Sequence, residues 1–302
     1  MKIGIVTVTY NSEEVLPDFL SSLDQQDYQN VLRIFIDNAS SDQSVKTIQS
    51  WKNNSKILIE NHTNIGVAAG NNQGIKLALE HDCDFVLLLN NDTVFEASLL
   101  SKLLSAHHKY GSSLIVPKMK YFSPQDTIWY AGGFYNIKKG YLNYHRGQGE
   151  VDNHQYDTDD VVDYAPTCCV LIHRQVFEDV GLMDEAYFVY FDDTDFFYRI
   201  KLDAKHQLRY IHQVEFFHKI GSLSKSRTSN KSNFYSSFFI QQNCKNHVYF
   251  LKKQNALIPS LLIIYIWFYY TLRFFFSENF EKKWHTFKLI QRSFFKGLKM
   301  TS

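Results

Sequence analysis

From Lys2 to Leu89 the chain alternates short β-branched and aliphatic runs with stretches of helical period, and this alternation restricts the fold more than any other feature. Strands are expected near residues 2–9, 31–37, 56–60 and 84–89, with helices near 13–25, 42–52 and 68–80 between them. Such an order gives an α/β fold with a mostly parallel central sheet, because parallel neighbours need a crossover connection and a helix supplies it. In these sheets ligands bind beyond the carboxyl ends of the strands. Thr9, Tyr10 and Asn11, the segment Asp37 to Asp42, and Asn90-Asn91-Asp92 fall at such ends, so three strand ends converge on one crevice.

The polar residues at those ends carry distinct chemistry. Asp37 at a strand end can accept a hydrogen bond from the imide nitrogen of a uracil or thymine ring, whereas Asp42 reads as the N-cap of the following helix. Asn64-Ile65-Gly66-Val67-Ala68-Ala69-Gly70-Asn71 is small and amide-rich. That suits backbone approaching a nucleotide sugar, and equally a helix packed tightly on its sheet. Asn90-Asn91-Asp92 follows the apolar run Phe85 to Leu89, and Asp192-Asp193-Thr194-Asp195 follows Tyr187 to Phe191. One cluster can hold a divalent cation on a leaving diphosphate and the other can take a proton from an incoming hydroxyl, as displacement at a sugar carbon requires. The bland reading of the second cluster is an acidic helix N-terminus, with Asp195 capping a helix over 196–202.

In order, these segments resemble family 2 glycosyltransferases of the inverting GT-A type, and within them a rhamnosyltransferase group. The resemblance rests on Val8-Thr9-Tyr10-Asn11, Asp37-Asn38-Ala39-Ser40, Asn64-Ile65-Gly66 with Gly70-Asn71, and Leu89-Asn90-Asn91-Asp92. It continues through Trp129-Tyr130-Ala131-Gly132-Gly133, Gly181 to Glu185, Phe191-Asp192-Asp193-Thr194-Asp195 and His218-Lys219, covering residues 3–225. It implies a nucleotide and donor site of Thr9, Tyr10, Asn11, Asp37, Asn64, Gly66, Asn71, Asn91 and Asp92. Asp193 would be the general base, with Asp192 orienting loop or acceptor. Asp92 and His218 would hold Mn²⁺ or Mg²⁺. Trp129, Gly132 and Gly133 would wall the sugar or acceptor site, although the loop 129–149 reads equally well as a mobile surface loop. Two departures from the family pattern bear on donor and acceptor, not on reaction class: Ala165-Pro166-Thr167-Cys168 where a Gly is usual, and Gln241-Gln242-Asn243 where an Arg-Asn pair is common.

The resemblance implies dTDP-L-rhamnose as donor and a saccharide or lipid-linked saccharide as acceptor in bacterial surface polysaccharide synthesis. A UDP-hexose or UDP-N-acetylhexosamine transferase of the same fold, and a non-catalytic nucleotide-sugar-binding scaffold, are the alternatives.

A GT-A catalytic domain over 1–228 and a helical, membrane-associating region over 229–302 are expected. Residues 273–302 hold seven Lys/Arg against two Glu, a net +5 in a chain of total charge +1, and this favours an anionic lipid surface as partner over nucleic acid. Residues 256–272 are uncharged and rich in aromatics. Their length is marginal for a span, so an in-plane or re-entrant helix is expected, with packing on the catalytic domain as the alternative. Trp284, Phe287, Ile290, Phe294 and Leu298 share a helical face flanked by basic residues, the pattern of a membrane-surface helix. The N-terminus reads as a strand and not a signal peptide, so the catalytic body is expected at the cytoplasmic face of the membrane. Cys83, Cys168, Cys169 and Cys244 have neither metal-ligand nor disulfide spacing and are expected as buried thiols.

Overall fold

The computed structural model describes residues 1–219, 236–254, 257–276 and 283–301. Strands β1 (Ile3–Thr9), β2 (Val31–Asp37), β3 (Lys56–Glu60) and β4 (Phe85–Leu89) lie parallel in the order β3-β2-β1-β4. Helices α1 (Leu16–Asp24), α2 (Ser44–Ser50) and α3 (Val67–Glu80) make the crossovers. Each expected element of this half is present, within three residues at its ends. Every residue of β4 is buried, as follows for a strand covered on both faces.

The close fit of α3 to the sheet explains its small residues. A Cβ on Gly74 would lie 2.2 Å from Val6 Cγ1, and one on Gly70 would lie 3.0 Å from Val8 Cγ2. Of the two readings of this segment, tight helix packing therefore accounts for Gly70 and Gly74.

Beyond β4 the chain forms β5 (Thr93–Phe95), α4 (Leu99–Tyr110), β6 (Leu114–Pro117), β7 (Met119–Tyr121), β8 (Ile128–Tyr130), β9 (Gly133–Asn136), β10 (Leu142–His145) and β11 (Asp160–Val161). Then come β12 (Cys169–His173), α5 (Arg174–Val180), α6 (Asp192–Asp203), β13 (Leu208–Ile211) and β14 (Phe216–His218). Strand β12 inserts antiparallel between β4 and β6, and β13 and β11 complete an eight-stranded sheet. A smaller sheet of order β5-β14-β7-β8 and the hairpin β9-β10 sit beside it.

Helices α7 (Ser237–Lys253), α8 (Leu257–Phe276) and α9 (Lys283–Lys299) close a second apolar core with Tyr187 and Phe191. Helix α7 is locked onto the catalytic body. Lys253 pairs with Asp184 at 2.7 Å and Asp195 at 2.8 Å, and His247 Nε2 lies 2.7 Å from the Gly140 carbonyl. The expected boundary at 228 falls outside the described residues.

One expectation changes here. Ile290 and Phe294 of α9 are buried, and Phe287 and Leu298 pack on the same core, so most of the face that resembled a lipid-binding one is spent inside the molecule; only Trp284 of that set is exposed. Among the described residues no helix is long and apolar enough to cross a membrane. All four cysteines are buried and free.

Candidate active site

Strand register brings the polar ends together. In β1 and β2, Thr9 stands level with Asp37, and β4 runs parallel to β1 with Leu88 level with Val6, so Asn90 and Asn91 emerge beside Val8 and Thr9. These ends border a cleft of about 600 Å³. Thr9, Tyr10, Asn64, Gly66, Asn71, Asn91, Asp192 and Asp193 all line it. Asn91 is fixed by donating from Nδ2 to Ser12 Oγ at 2.8 Å. Gly66 has φ of +87°, and a Cβ there would meet the Phe188 carbonyl oxygen at 2.4 Å, so only glycine fits this turn into α3.

Asp37 is buried behind the lining. Its Oδ1 accepts from Thr9 Oγ1 at 2.9 Å and Ser40 Oγ at 2.6 Å, and its Oδ2 accepts from the Ser40 amide at 2.8 Å. Asn11, also outside the lining, ties the neighbouring loop by accepting from the Ser41 amide at 2.8 Å. Asp42 lies one residue before Gln43, the N-cap of α2, and accepts from the first-turn amide of Ser44 at 2.9 Å.

The second acidic cluster enters the cleft through a bend. Tyr190 and Phe191 have φ of +64° and +68°, conformations costly for side chains of this size. Asn246 of α7 holds the bend, donating from Nδ2 to the carbonyls of Val189 at 2.9 Å and Tyr190 at 2.8 Å. Helix α6 then starts at Asp192, not at residue 196, and Asp195 lies within its first turn. Asp195 is therefore no cap: it is buried against Arg199 (2.9 Å) and Lys253 (2.8 Å), tying α6 to α7. Acidic residues in the first turn also suit the helix dipole, so the structural reading accounts for Asp195 but leaves Asp192 and Asp193 facing the cleft.

Asp193 is half-buried at the cleft wall. Its Oδ2 accepts from the Tyr164 hydroxyl at 2.5 Å, and its Oδ1 from the Thr194 amide at 2.6 Å. Burial raises its pKa, and these hydrogen bonds pull it back by favouring the charged form. Burial raises Asp192 as well, and the neighbouring Asp193 charge adds to the effect. The hydrogen bonds thus favour the charged form at Asp193, while burial and the neighbouring charge disfavour it at Asp192.

Asp92 and His218 meet for a topological reason. Strand β14 pairs antiparallel with β5, setting His218 opposite Thr93 and next to Asp92. His218 Nε2 lies 3.2 Å from Asp92 Oδ1, yet Asp92 Oδ1 has no hydrogen bond, and neither has the buried His218 Nδ1. The distance is that of an ion pair without the alignment of a hydrogen bond. Among the described residues there is no group of three or more His, Cys, Asp or Glu that could hold a metal. An orphaned carboxylate oxygen beside an imidazole nevertheless fits a divalent ion whose other ligands are diphosphate oxygens and water, as is usual for Mg²⁺.

Trp129 does not line the cleft; it packs on His218 with ring centroids 4.4 Å apart. Gly132 and Gly133 are also outside the lining, and a Cβ on Gly133 would meet the Tyr164 carbonyl at 2.4 Å. Gly133 seats the loop against Tyr164, and Gly132 seats it against Arg146 and Val162.

A model of the family described as glycosyl transferase family 2 matches residues 4–181, more than half of the chain. The chain belongs to glycosyl transferase family 2. Membership places it among the sugar-transferring enzymes. It is 25% identical over 211 residues to the low-salt glycan biosynthesis hexosyltransferase Agl10 of Haloferax volcanii, a match covering 66% of this chain and 61% of Agl10. It is 25% identical over 123 residues to the poly(ribitol-phosphate) β-N-acetylglucosaminyltransferase TarS of Staphylococcus aureus, covering 40% of this chain and 21% of TarS. The chain thus spans less than two thirds of either relative.

Among solved structures, TarS 1-349 in complex with UDP-GlcNAc matches with a TM-score of 0.60 at 16% identity, covering 98% of this chain and 81% of that one. GalNAc-T7 with UDP, GalNAc and Mn²⁺ matches with a TM-score of 0.66 at 13% identity, covering 97% and 54%. These likenesses give the GT-A fold.

Several residues of the cleft are not marked as site residues by the sequence, although Asn243 belongs to the Gln241-Gln242-Asn243 departure from the family pattern. Tyr164 meets Asp193 only because β12 and the preceding loop deliver it there. Leu142 and Asn143 of β10, and Phe238 and Asn243 of α7, line the cleft from segments that read as loop or tail.

Proposed function

We propose that the protein transfers a hexose or N-acetylhexosamine from a UDP-sugar to a saccharide or lipid-linked saccharide acceptor, in one displacement that inverts the anomeric carbon. The observation that carries this reading is Asp193: a carboxylate facing a strand-end cleft and oriented by hydrogen bonds from Tyr164 and Thr194. A single displacement needs one base for the acceptor hydroxyl and stabilisation of the leaving diphosphate. Asp193 takes the proton from the acceptor oxygen as that oxygen bonds to the sugar carbon.

At the nucleotide end, Asp37, behind the cleft lining, fixes Thr9 and Ser40, and would reach a base only with the Ser40 loop opened. With two hydrogen bonds at Oδ1 and one at Oδ2, it retains one lone-pair site, on Oδ2, for a pyrimidine imide N–H. Asn91 and the backbone at Gly66 bound the sugar-diphosphate. Asp92 and His218 would hold Mn²⁺ or Mg²⁺, which would offset the charge developing on the diphosphate.

The hexosyl and N-acetylglucosaminyl names of Agl10 and TarS support the UDP-sugar reading. The ordered motifs support a second donor, dTDP-L-rhamnose. The setting we assign is surface polysaccharide synthesis at the cytoplasmic face of the cell membrane.

Thermal shift of the full chain against UDP-GlcNAc, UDP-glucose and dTDP-rhamnose, each with Mn²⁺ and with EDTA, separates the donors, since a ligand that binds only the native state raises its Tm. A metal-dependent shift with a UDP-sugar and none with dTDP-rhamnose is expected; the reverse pattern replaces the donor. Asp92→Ala should remove the metal dependence of that shift. Asp193→Asn should leave the shift intact and lower kcat by about 10² to 10⁴. Donor binding without turnover in the parent protein would instead make it a scaffold.

A further inference from the structure

Helix α8 keeps an apolar face that nothing within the described molecule covers. Leu261 and Ile264 are each 58% exposed and Phe268 and Leu272 50%, with Ile258 and Tyr265 beside them. At about 100° per residue these positions share one side of the helix. The opposite side carries Ile266, buried, with Leu262, Ile263, Trp267 and Tyr270 packed on the second core. A contiguous exposed stripe of this kind marks an interaction surface.

Helix α9 supplies the charge beside it. Trp267 Nε1 donates to Gln291 Oε1 at 2.8 Å, and Gln291 Nε2 donates to Thr271 Oγ1 at 3.1 Å. On α8 the next positions outward from this seam are Ile264 and Phe268; on α9 they are Trp284, Lys288 and Phe295, so the two outer faces adjoin. The ammonium of Lys288 lies 5.5 Å from the centroid of the Trp284 ring. Lys288, Arg292, Lys296 and Lys299 are all exposed, and α9 contains no Asp or Glu. On the packed side of α8, Gly140 lies against Ile266 and follows the exposed Ile137, Lys138 and Lys139.

We propose that the outer face of α8 lies in the plane of an anionic lipid bilayer, with the basic face of α9 at headgroup level. An apolar stripe rimmed by lysine, arginine and interfacial aromatics matches that surface in both polarity and charge. A second copy of the chain fits less well, because a two-fold contact through this face would bring two basic rims together. On its packed side α8 nears the cleft: Gly140 lies against Ile266, and Leu142 and Asn143, just beyond it in the chain, line the cleft wall. A lipid-linked acceptor would therefore enter from the membrane side past β10. That last step rests on the sugar-transfer reading; the lipid contact does not.

The test is co-sedimentation of the full chain with vesicles of phosphatidylcholine alone or mixed with phosphatidylglycerol. Binding to the mixed vesicles is expected. Leu261→Ser with Phe268→Ser should lower the partition coefficient by about a hundredfold, since each buried apolar side chain is worth about one order of magnitude. Lys288→Glu with Arg292→Glu should lower it by about tenfold or more at low salt and much less at high salt. Brominated acyl chains should quench tryptophan fluorescence of the unaltered protein, a readout that needs no variant. Absence of vesicle binding and of quenching overturns the proposal, as does binding unchanged in the serine variant. A lipid-independent dimer that the serine variant abolishes assigns the face to a second copy and also overturns it. Nucleotide-induced thermal shift without lipid, measured on each variant, reports on the sugar-transfer reading separately.

Discussion

Asp192 and Asp193 are adjacent carboxyls of the same intrinsic acidity, distinguished by their burial and their hydrogen bonds. Tyr164 is buried, which raises its own pKa well above the ordinary phenol range and keeps it a donor to Asp193. Removing that donor by Tyr164→Phe leaves burial less opposed, so the Asp193 pKa should rise further. A base works only when ionised, so the acid limb of the kcat/KM profile should move to higher pH in Tyr164→Phe, with kcat on the alkaline plateau changed less than at the acid side. An unmoved limb would mean that Tyr164 only packs. Asp193 as a candidate was legible in the sequence because acidic residues follow an apolar run. Tyr164 was not, since nothing local distinguishes it among the chain's 19 tyrosines.

Among the elements, α7 does most to join the tail to the site. Its Asn246 clamps the left-handed turn at Tyr190 and Phe191, and that turn aims the first residues of α6 into the cleft. Asn246→Ala should release the turn, lowering kcat at least about tenfold while the nucleotide-dependent thermal shift is kept, because a small misplacement of a catalytic group is costly in rate. Equal loss of both would indicate general unfolding. The apolar face of α9 shows the limit of periodicity. An amphipathic stripe has the same pattern whether it meets lipid or another helix, and here Ile290 and Phe294 meet helix. The uncharged run in α8, with one side packed and the other exposed, looks uniformly apolar in sequence for the same reason.

At the scale of the whole molecule, the sheet and the helical tail have separate apolar cores, and Tyr187 and Phe191 of the catalytic body pack into the tail's core with Tyr249 and Phe250 of α7. Cutting the chain after residue 254 would leave Ile240, Cys244 and Val248 without α8 and α9 over them. The truncated protein should show a lower Tm and exposed apolar surface, read by dye binding, as well as any loss of membrane contact. A truncation with an unchanged Tm would show that the tail is an appendage.

The amino-acid sequence by itself determined the parallel half of the sheet, its crossover helices and the acidic and amide residues at the strand ends, because these depend on local period and on residues a few positions apart. It left two roles open for the glycines of α3, and the fold assigned Gly70 and Gly74 to the close approach of α3 to β1. Tertiary structure alone decided that Asp195 joins an ion-pair network and not a helix cap, that His218 meets Asp92 through the pairing of β14 with β5, and that α8 exposes a face while α9 hides one. Each of those outcomes depends on a partner distant in the chain. Side-chain type fixes what a residue can bind, but only the packed fold fixes which neighbour it finds.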